Sequence, residues 1–279
     1  MKEFPEEVKE SIDSYLSLLE EYLPNTVSGL WIHGSIALDA YVKDSSDIDF
    51  ITITSRELTM EDSNVLASIH QELQSQKNKP EWDGVYITLD ELKNVNENVD
   101  AYTCKSYLFF NDGEMHHDSY FNFNPITWFT LAHKGIAGIG PDPRQVELDD
   151  HSDQLVDYVQ KNMNSYWKNR VEHYKEMLPH IQNIPTEKIE TEIEWTVLGL
   201  LRQYYTIKEE NIISKLHSGY YGLKHLPVKW HPLIQESINI RSNHGQSLFP
   251  SDEERVETLY RFAQFIFTES LTDAPSKST

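Results

Sequence analysis

The chain has 279 residues, 39% of them hydrophobic and 11% aromatic, with 11 glycines and 12 prolines; that is enough apolar surface for about two domains with a sizeable core, and it excludes collagen-like, low-complexity and disordered chains. Lys and Arg number 24 against 45 Asp and Glu, a formal charge of −21, which repels a phosphate backbone and makes nucleic acid a poor partner while drawing metal ions or polyamine-like cations toward an acidic cleft. A lone cysteine, Cys104, excludes an internal disulfide framework, the first residues are acidic and amphipathic rather than a basic leader, and no apolar run approaches membrane-spanning length, so the expectation is a cytoplasmic protein without membrane contact.

Val8, Ile12, Tyr15, Leu16, Leu19 and Tyr22 recur at steps of three and four, predicting a helix over 5–23 that Pro24-Asn25 ends. Residues 27–33 form a β-prone run, Gly34-Ser35 breaks it, and 36–41 favours a helix start. Residues 47–54 alternate with β-branched side chains and predict a strand with one polar face, followed by a helix over about 61–76. Two more strands are expected at 85–89, just after Asp83-Gly84, and within 103–110. Beyond Pro125 helical segments dominate, and the last strongly turn-like stretch, 135–143, marks the boundary between domains 1–140 and 141–279. Helical periodicity over 152–178, 186–209, 211–220, 231–240 and 252–271 predicts a helical bundle, with a frayed tail from Thr272.

The chemistry concentrates where Gly34-Ser35 is followed, after eleven residues, by Asp47-Ile48-Asp49. Residues i and i+2 of a strand share a face, so Asp47 and Asp49 present two carboxylates together, a hard oxygen site that suits Mg²⁺ bridging nucleotide phosphates. A tight Gly-Ser turn opening a helix offers backbone N–H groups and a hydroxyl to the same phosphates, with the helix dipole in support. Asp-x-Asp alone also suits a turn after Ser45-Ser46. It is the order of the two halves that points to metal and anion meeting.

Gly-Ser on a strand-turn-helix, then Asp-x-Asp on a strand, resembles the nucleotidyltransferase superfamily related to DNA polymerase β. The resemblance implies an α+β N-terminal domain with a mixed sheet, Mg²⁺ on Asp47 and Asp49, and a third carboxylate on a neighbouring strand that completes the metal site or activates the attacking hydroxyl. Asp83 is the best local candidate for both roles; Glu81 stands further out and Asp90 falls past the far end of strand 85–89. Gly34, Ser35 and Ser46 would hold the triphosphate.

The element order, the Gly140-Pro141 junction and the all-helical C-terminal half resemble the bacterial aminoglycoside adenylyltransferases of the streptomycin and spectinomycin type over most of the chain. Leu201-Arg202-Gln203-Tyr204-Tyr205 resembles the family helix whose arginine reaches ATP phosphates, Lys215 sits at the family's spacing from it, and Leu226-Pro227 and Pro232 continue the register. This implies ATP as co-substrate bound between the domains, Arg202 and Lys215 on its phosphates, and AMP transfer to a hydroxyl of a cationic small-molecule acceptor by a monomer, conferring antibiotic resistance. Glu192 or Glu194 matches the position where an acid holds the drug's amines, with Trp195 beside it as a sugar platform or an interface anchor.

There are departures. Arg241 stands where the family tends to carry a tyrosine near the adenine, offering a guanidinium plane instead, and 183–188 lacks the Trp and Asp that admit streptomycin. Spectinomycin or another acceptor is therefore favoured over streptomycin. The alternatives are a transferase of the same fold acting on another small molecule, a protein or an RNA end, and a non-catalytic ATP-binding or antitoxin-like module; three intact carboxylates favour turnover. His116-His117 and His133 read as surface or capping histidines, Cys104 as a small buried hydrophobe, and Trp128, Trp167 and Trp230 as core or interface anchors.

Overall fold

Six strands of the N-terminal half form one sheet in the order β5-β4-β3-β2-β1-β6: β1 (Val27–Ile32), β2 (Ile48–Thr54), β3 (Trp82–Thr88), β4 (Tyr107–Asn111), β5 (Glu114–Asp118) and β6 (Ile136–Ile139). The computed structural model describes residues 4–76, 80–97, 105–243 and 247–272. Only β2 and β3 pair in parallel; the helix α3 (Met60–Ser75) supplies the crossover that parallel neighbours require. The other pairings are antiparallel, so the sheet is mixed, as expected.

Both faces of the sheet are covered, which is why β2 reads as an almost unbroken apolar run. On one face α1 (Glu6–Tyr22) and α3 bring Val8, Ile12, Tyr15, Leu66, Ile69 and Leu73 onto Leu30, Ile32, Ile48 and Phe50. On the other, α4 (Leu89–Glu97) and α5 (Pro125–Lys134) cover Trp31, Ile51, Ile53, Val85 and Ile87 with Leu92, Val95, Trp128 and Leu131. Asn124 caps α5 by accepting from Ile126 N and Thr127 N, with Pro125 in the first turn where its missing N–H costs nothing.

Two strands go beyond the sequence reading. The stretch 135–143 contains β6, which pairs with β1; four residues between glycines read as a turn, and only the neighbouring strand turns them into an edge. The hairpin β4–β5 turns at Asp112-Gly113, both at positive φ, and so adds a strand that carries His116 and His117. The chain divides into units 1–151 and 152–279, past the expected boundary at 140. Residues beyond β6 stay with the sheet because Trp31 Nε1 donates to Pro141 O at 2.8 Å, while Asn96 exchanges bonds of 2.9 and 2.7 Å with the Asp149 backbone and its carbonyl meets His151 Nε2 at 2.8 Å.

Among the described residues the second unit is all-helical, with α6 (Leu155–Asn162), α7 (Lys168–Met177), α8 (Thr186–Glu209), α9 (Lys215–His225), α10 (His231–Arg241) and α11 (Asp252–Thr272). The 24-residue α8 runs through its middle, packed by α6, α9, α10 and α11, which accounts for its buried Val197-Leu198-Gly199-Leu200-Leu201. The predicted continuous helix over 152–178 is interrupted by a π-helical turn at Met163–Trp167, which swings the Trp167 ring onto Gly199, where a Cβ would collide with it. Helix α9 begins later than predicted because the Ser214 hydroxyl accepts from His217 N and caps it. The expectations for Cys104 and for the tail beyond Thr272 fall outside the described residues. Among the described residues no helix is long and apolar enough to cross a membrane.

Candidate active site

The turn after β1 is stitched to β2 by a hydrogen bond from His33 N to Asp49 O at 3.0 Å. Gly34 follows at φ +56°, and a Cβ there would land on the Asp49 carboxylate. Only glycine satisfies both the left-handed backbone and that contact. Ser35 lies in the single-turn helix α2 (Gly34–Ala37), its buried Oγ without a hydrogen-bond partner.

Asp49 and Asp83 are the second residues of β2 and β3 and are paired across the parallel register. They point to the face that carries Ile51, Ile53, Val85 and Ile87. Asp47 stands one residue ahead of β2, on the same parity. The three aspartates bring one carboxylate oxygen each within 4.8 Å of one another. Asp83 thus lies within its strand rather than ahead of it, since Trp82 starts β3 by burying its ring 4.5 Å from Tyr15 and 5.3 Å from Phe50.

Two residues that the sequence reading missed, Asn111 and Tyr120, accompany Asp83. Asn111, one step beyond the Gly84–Phe110 pair of β3 and β4, donates Nδ2 to Asp83 Oδ2 at 3.0 Å. Asp83 Oδ1 is buried without a partner. Burial, and then the Asp47 charge, push the Asp83 carboxyl up to about 7; Asp112 adds to the rise and the Asn111 hydrogen bond opposes it. The buried Tyr120 hydroxyl is held well above its ordinary value, mainly by burial and then by the charge of Asp83, with smaller contributions from Asp49 and Asp47. The Asp112-Gly113 hairpin signal points toward Asn111; nothing local marks Tyr120.

Three carboxylates this close repel one another unless a cation or a proton intervenes. An all-oxygen donor set with an unused buried oxygen on Asp83 and an unused hydroxyl on Ser35 fits a hard divalent ion. Ser46 Oγ accepts from Val42 N at 3.0 Å and closes the loop leading into β2. His33 is buried with Nε2 unpartnered, and burial pulls its imidazole down to about 4.

The remaining sequence-predicted residues lie in the helical unit, and five of them gather there. Glu194, buried on α8, meets Arg241 Nη1 at 3.3 Å and Lys215 Nζ at 3.6 Å. The Trp195 ring, 42% exposed, has Lys215 Nζ 4.2 Å and Arg170 Cζ 5.8 Å from its centroid. Glu192 accepts from Arg170 Nη2 at 2.6 Å and from the Tyr174 hydroxyl at 2.9 Å. Both acids expected to meet an acceptor's amines therefore already hold cations of the protein. Arg241, expected as an open guanidinium plane, is buried on Glu194. Arg202 lies half-buried about two turns further along α8. Arg170 and Tyr174 left no signal in the sequence.

Residues 12–106 match the nucleotidyltransferase domain family, and residues 162–265 match the family described as aminoglycoside adenylyltransferase, C-terminal domain. The fold is similar to that of spectinomycin adenyltransferase AAD(9) from Enterococcus faecialis, whose crystal structure contains ATP and spectinomycin. The TM-score is 0.63 over 92% of this chain and 98% of that one, at 16% sequence identity. No curated protein matches the chain.

Proposed function

We infer that this chain, which belongs to the aminoglycoside adenylyltransferases of the nucleotidyltransferase superfamily, transfers AMP from ATP to a hydroxyl of an aminoglycoside-type acceptor and releases pyrophosphate. The observation that carries the reading is the acidic triad, in which Asn111 orients the Asp83 carboxylate.

Asp47 and Asp49 would hold Mg²⁺, which offsets triphosphate charge when bound, with the Asp83 carboxylate beside them. The chain's own residues then divide the work. Gly34 brings the backbone close to Asp49 without a side chain in the way, and Ser35 has a hydroxyl free for a phosphate oxygen. Ser46 shapes the loop that presents Asp47. Asp83 would accept the acceptor hydroxyl's proton through Oδ1, since Asn111 occupies Oδ2. Arg202 and Lys215 are the proposed cationic ligands of the triphosphate and the departing pyrophosphate.

Spectinomycin is favoured over streptomycin. Residues 183–188 lack the tryptophan and aspartate expected for streptomycin, and an acceptor's ammonium would have to share Glu192 with Arg170, or Glu194 with Arg241 and Lys215. An acceptor less densely charged than a polycation fits that arrangement. The likeness in fold to a spectinomycin adenyltransferase supports the same choice.

The test is pyrophosphate release with ATP, Mg²⁺ and a panel of spectinomycin, streptomycin and other aminoglycosides, each product weighed by mass spectrometry. A mass gain of one AMP on one compound is the expected result. ATP binding with no acceptor modified overturns the acceptor class and sends the search to protein, RNA or metabolite hydroxyls.

A further inference from the structure

Asp49 and Asp83 stand near the amino ends of β2 and β3; the carboxyl ends of the same two strands, at Thr54 and Thr88, lie five residues further on, roughly 16 Å along the sheet. There the chain leaves to opposite faces. Strand β2 continues into α3, which packs with α1 over Phe50, and β3 into α4, which packs over Ile51 and Val85. Connections that diverge from neighbouring parallel strands leave a crevice outside the strand ends, the general place for ligands in open sheets. Here it is a cavity of about 290 Å³, walled by Thr54 and Thr88, the first turn of α3 and the start of β4.

Leu58 and Leu108, half-buried at the margin of the core, give this cavity an apolar wall, and Ser63 and His117 give it polar groups. Its charged side chains are Glu57, Glu91 and Lys105. Lys105 Nζ is closed on Glu91 Oε1 at 2.6 Å. Arg56, the cation next to Glu57 in the chain, is spent on Asp62 through hydrogen bonds of 2.6 and 2.9 Å. The Glu57 carboxylate therefore pairs with no cation among the described residues. The start of α3 is already held by the capping box of Thr59 and Asp62, so the helix end does not call for an anion. An anion entering here would face Glu57 and find the one lysine taken. An ammonium completes the balance, and a ring carried with it finds Leu58 and Leu108 beside it.

We propose that this crevice binds a small primary amine carried on a single ring, with Glu57 as the partner of its ammonium group. The site lies at the other end of the sheet from the three aspartates, goes beyond the transfer reaction and does not depend on it. The test is calorimetric titration of the full chain with tyramine, 4-ethylphenol and 4-hydroxyphenylacetate, which share a phenol ring and differ in charge. Tyramine is expected to bind about fivefold more tightly than 4-ethylphenol, and the acid more weakly than either. The overall charge of the protein also favours an amine, so two variants separate the local from the general effect. Glu57→Gln should weaken tyramine about fivefold, to the level of 4-ethylphenol. Glu61→Gln makes the same change in net charge on an exposed position that does not line the cavity, and should leave tyramine as it is. Asp49→Asn and Glu192→Gln should bind tyramine as the wild type does, whatever becomes of AMP transfer. No binding of tyramine, wild-type affinity in Glu57→Gln, or an equal loss in Glu61→Gln would overturn the proposal. So would loss of binding in Asp49→Asn or Glu192→Gln, which would place the amine at the aspartates or in the helical unit.

Discussion

The two oxygens of Asp83 differ: Oδ2 receives Asn111, and Oδ1 is buried with nothing to accept. A carboxylate with one oxygen fixed is oriented without being satisfied, the condition under which it would take a metal or a proton. Asp83→Asn keeps the shape and removes the charge, so ATP binding should largely survive while turnover falls about 10²- to 10⁴-fold; single-turnover AMP transfer separates the two, and wild-type turnover would exclude Asp83 as the base. Asn111→Ala frees Oδ2 and lets the carboxylate rotate. We expect kcat to fall about tenfold with the KM for ATP little changed, because Asn111 itself would touch neither phosphate nor acceptor. A KM effect alone would instead make Asn111 a nucleotide ligand. Of these residues, Asp47, Asp49 and the Gly34-Ser35 turn were legible in the sequence because their relation is local: a turn, and two positions on one strand. Asp83 was found by its neighbourhood to a predicted strand. Asn111 and Tyr120 were not, since each reaches the triad through the pairing of β4 with β3 or through packing on the sheet.

Strand register does for the site what no single side chain can. In the parallel pair, Asp49 and Asp83 are opposite each other, and a slip by one residue would send one carboxylate to the apolar face that α1 and α3 cover. The turn after β1 is part of the same device. Gly34→Ala puts a methyl group into the Asp49 carboxylate at a φ of +56°, and should displace Asp49, weakening Mg²⁺ binding by calorimetry and lowering the unfolding midpoint. A variant that binds Mg²⁺ normally would show that the turn yields independently of β2. In the helical unit, Gly199→Ala meets the Trp167 ring; overpacking of this kind should cost about 1–3 kcal/mol in denaturant unfolding. Helices α1, α3, α8, α10 and α11 were readable from their periodicity, as amphipathic or buried stripes are written into i, i+3 and i+4 spacing. Strand β6 and the π-helical turn before α7 were not. An edge strand of four residues exists only because β1 offers hydrogen bonds, and the Met163–Trp167 distortion follows from seating Trp167 against Gly199.

At the scale of the whole molecule, buried imidazoles and Asp83 make folding depend on pH in opposite directions. Burial pulls His33 down to about 4 and His70 down to about 3 from an ordinary 6.5. The unfolded chain therefore binds more protons than the folded one as pH drops below about 6.5, and the stability these two groups allow is present above that value and lost as pH falls toward 4 and 3. Asp62, held below the usual carboxylate range chiefly by Arg56, adds a loss in the same direction at lower pH. Asp83, raised to about 7, runs the other way, costing the metal-free protein stability as pH rises from about 4 to 7. Thermal unfolding without metal should accordingly show a midpoint that falls from pH 6.5 to 4, and His70→Gln should flatten that fall. An unchanged slope in His70→Gln would mean that the ring is not held neutral in the fold. The sequence by itself determined the α+β half followed by a helical half, the Gly34-Ser35 turn and the paired aspartates, because turns, strand alternation and helical stripes are set by neighbours along the chain. Only the tertiary structure decided that Asp83 sits opposite Asp49 with Asn111 on one oxygen, and that Glu192 and Glu194 already hold Arg170, Lys215 and Arg241. Those contacts join residues far apart in the chain, and their geometry is fixed by strand register and by which helix faces pack.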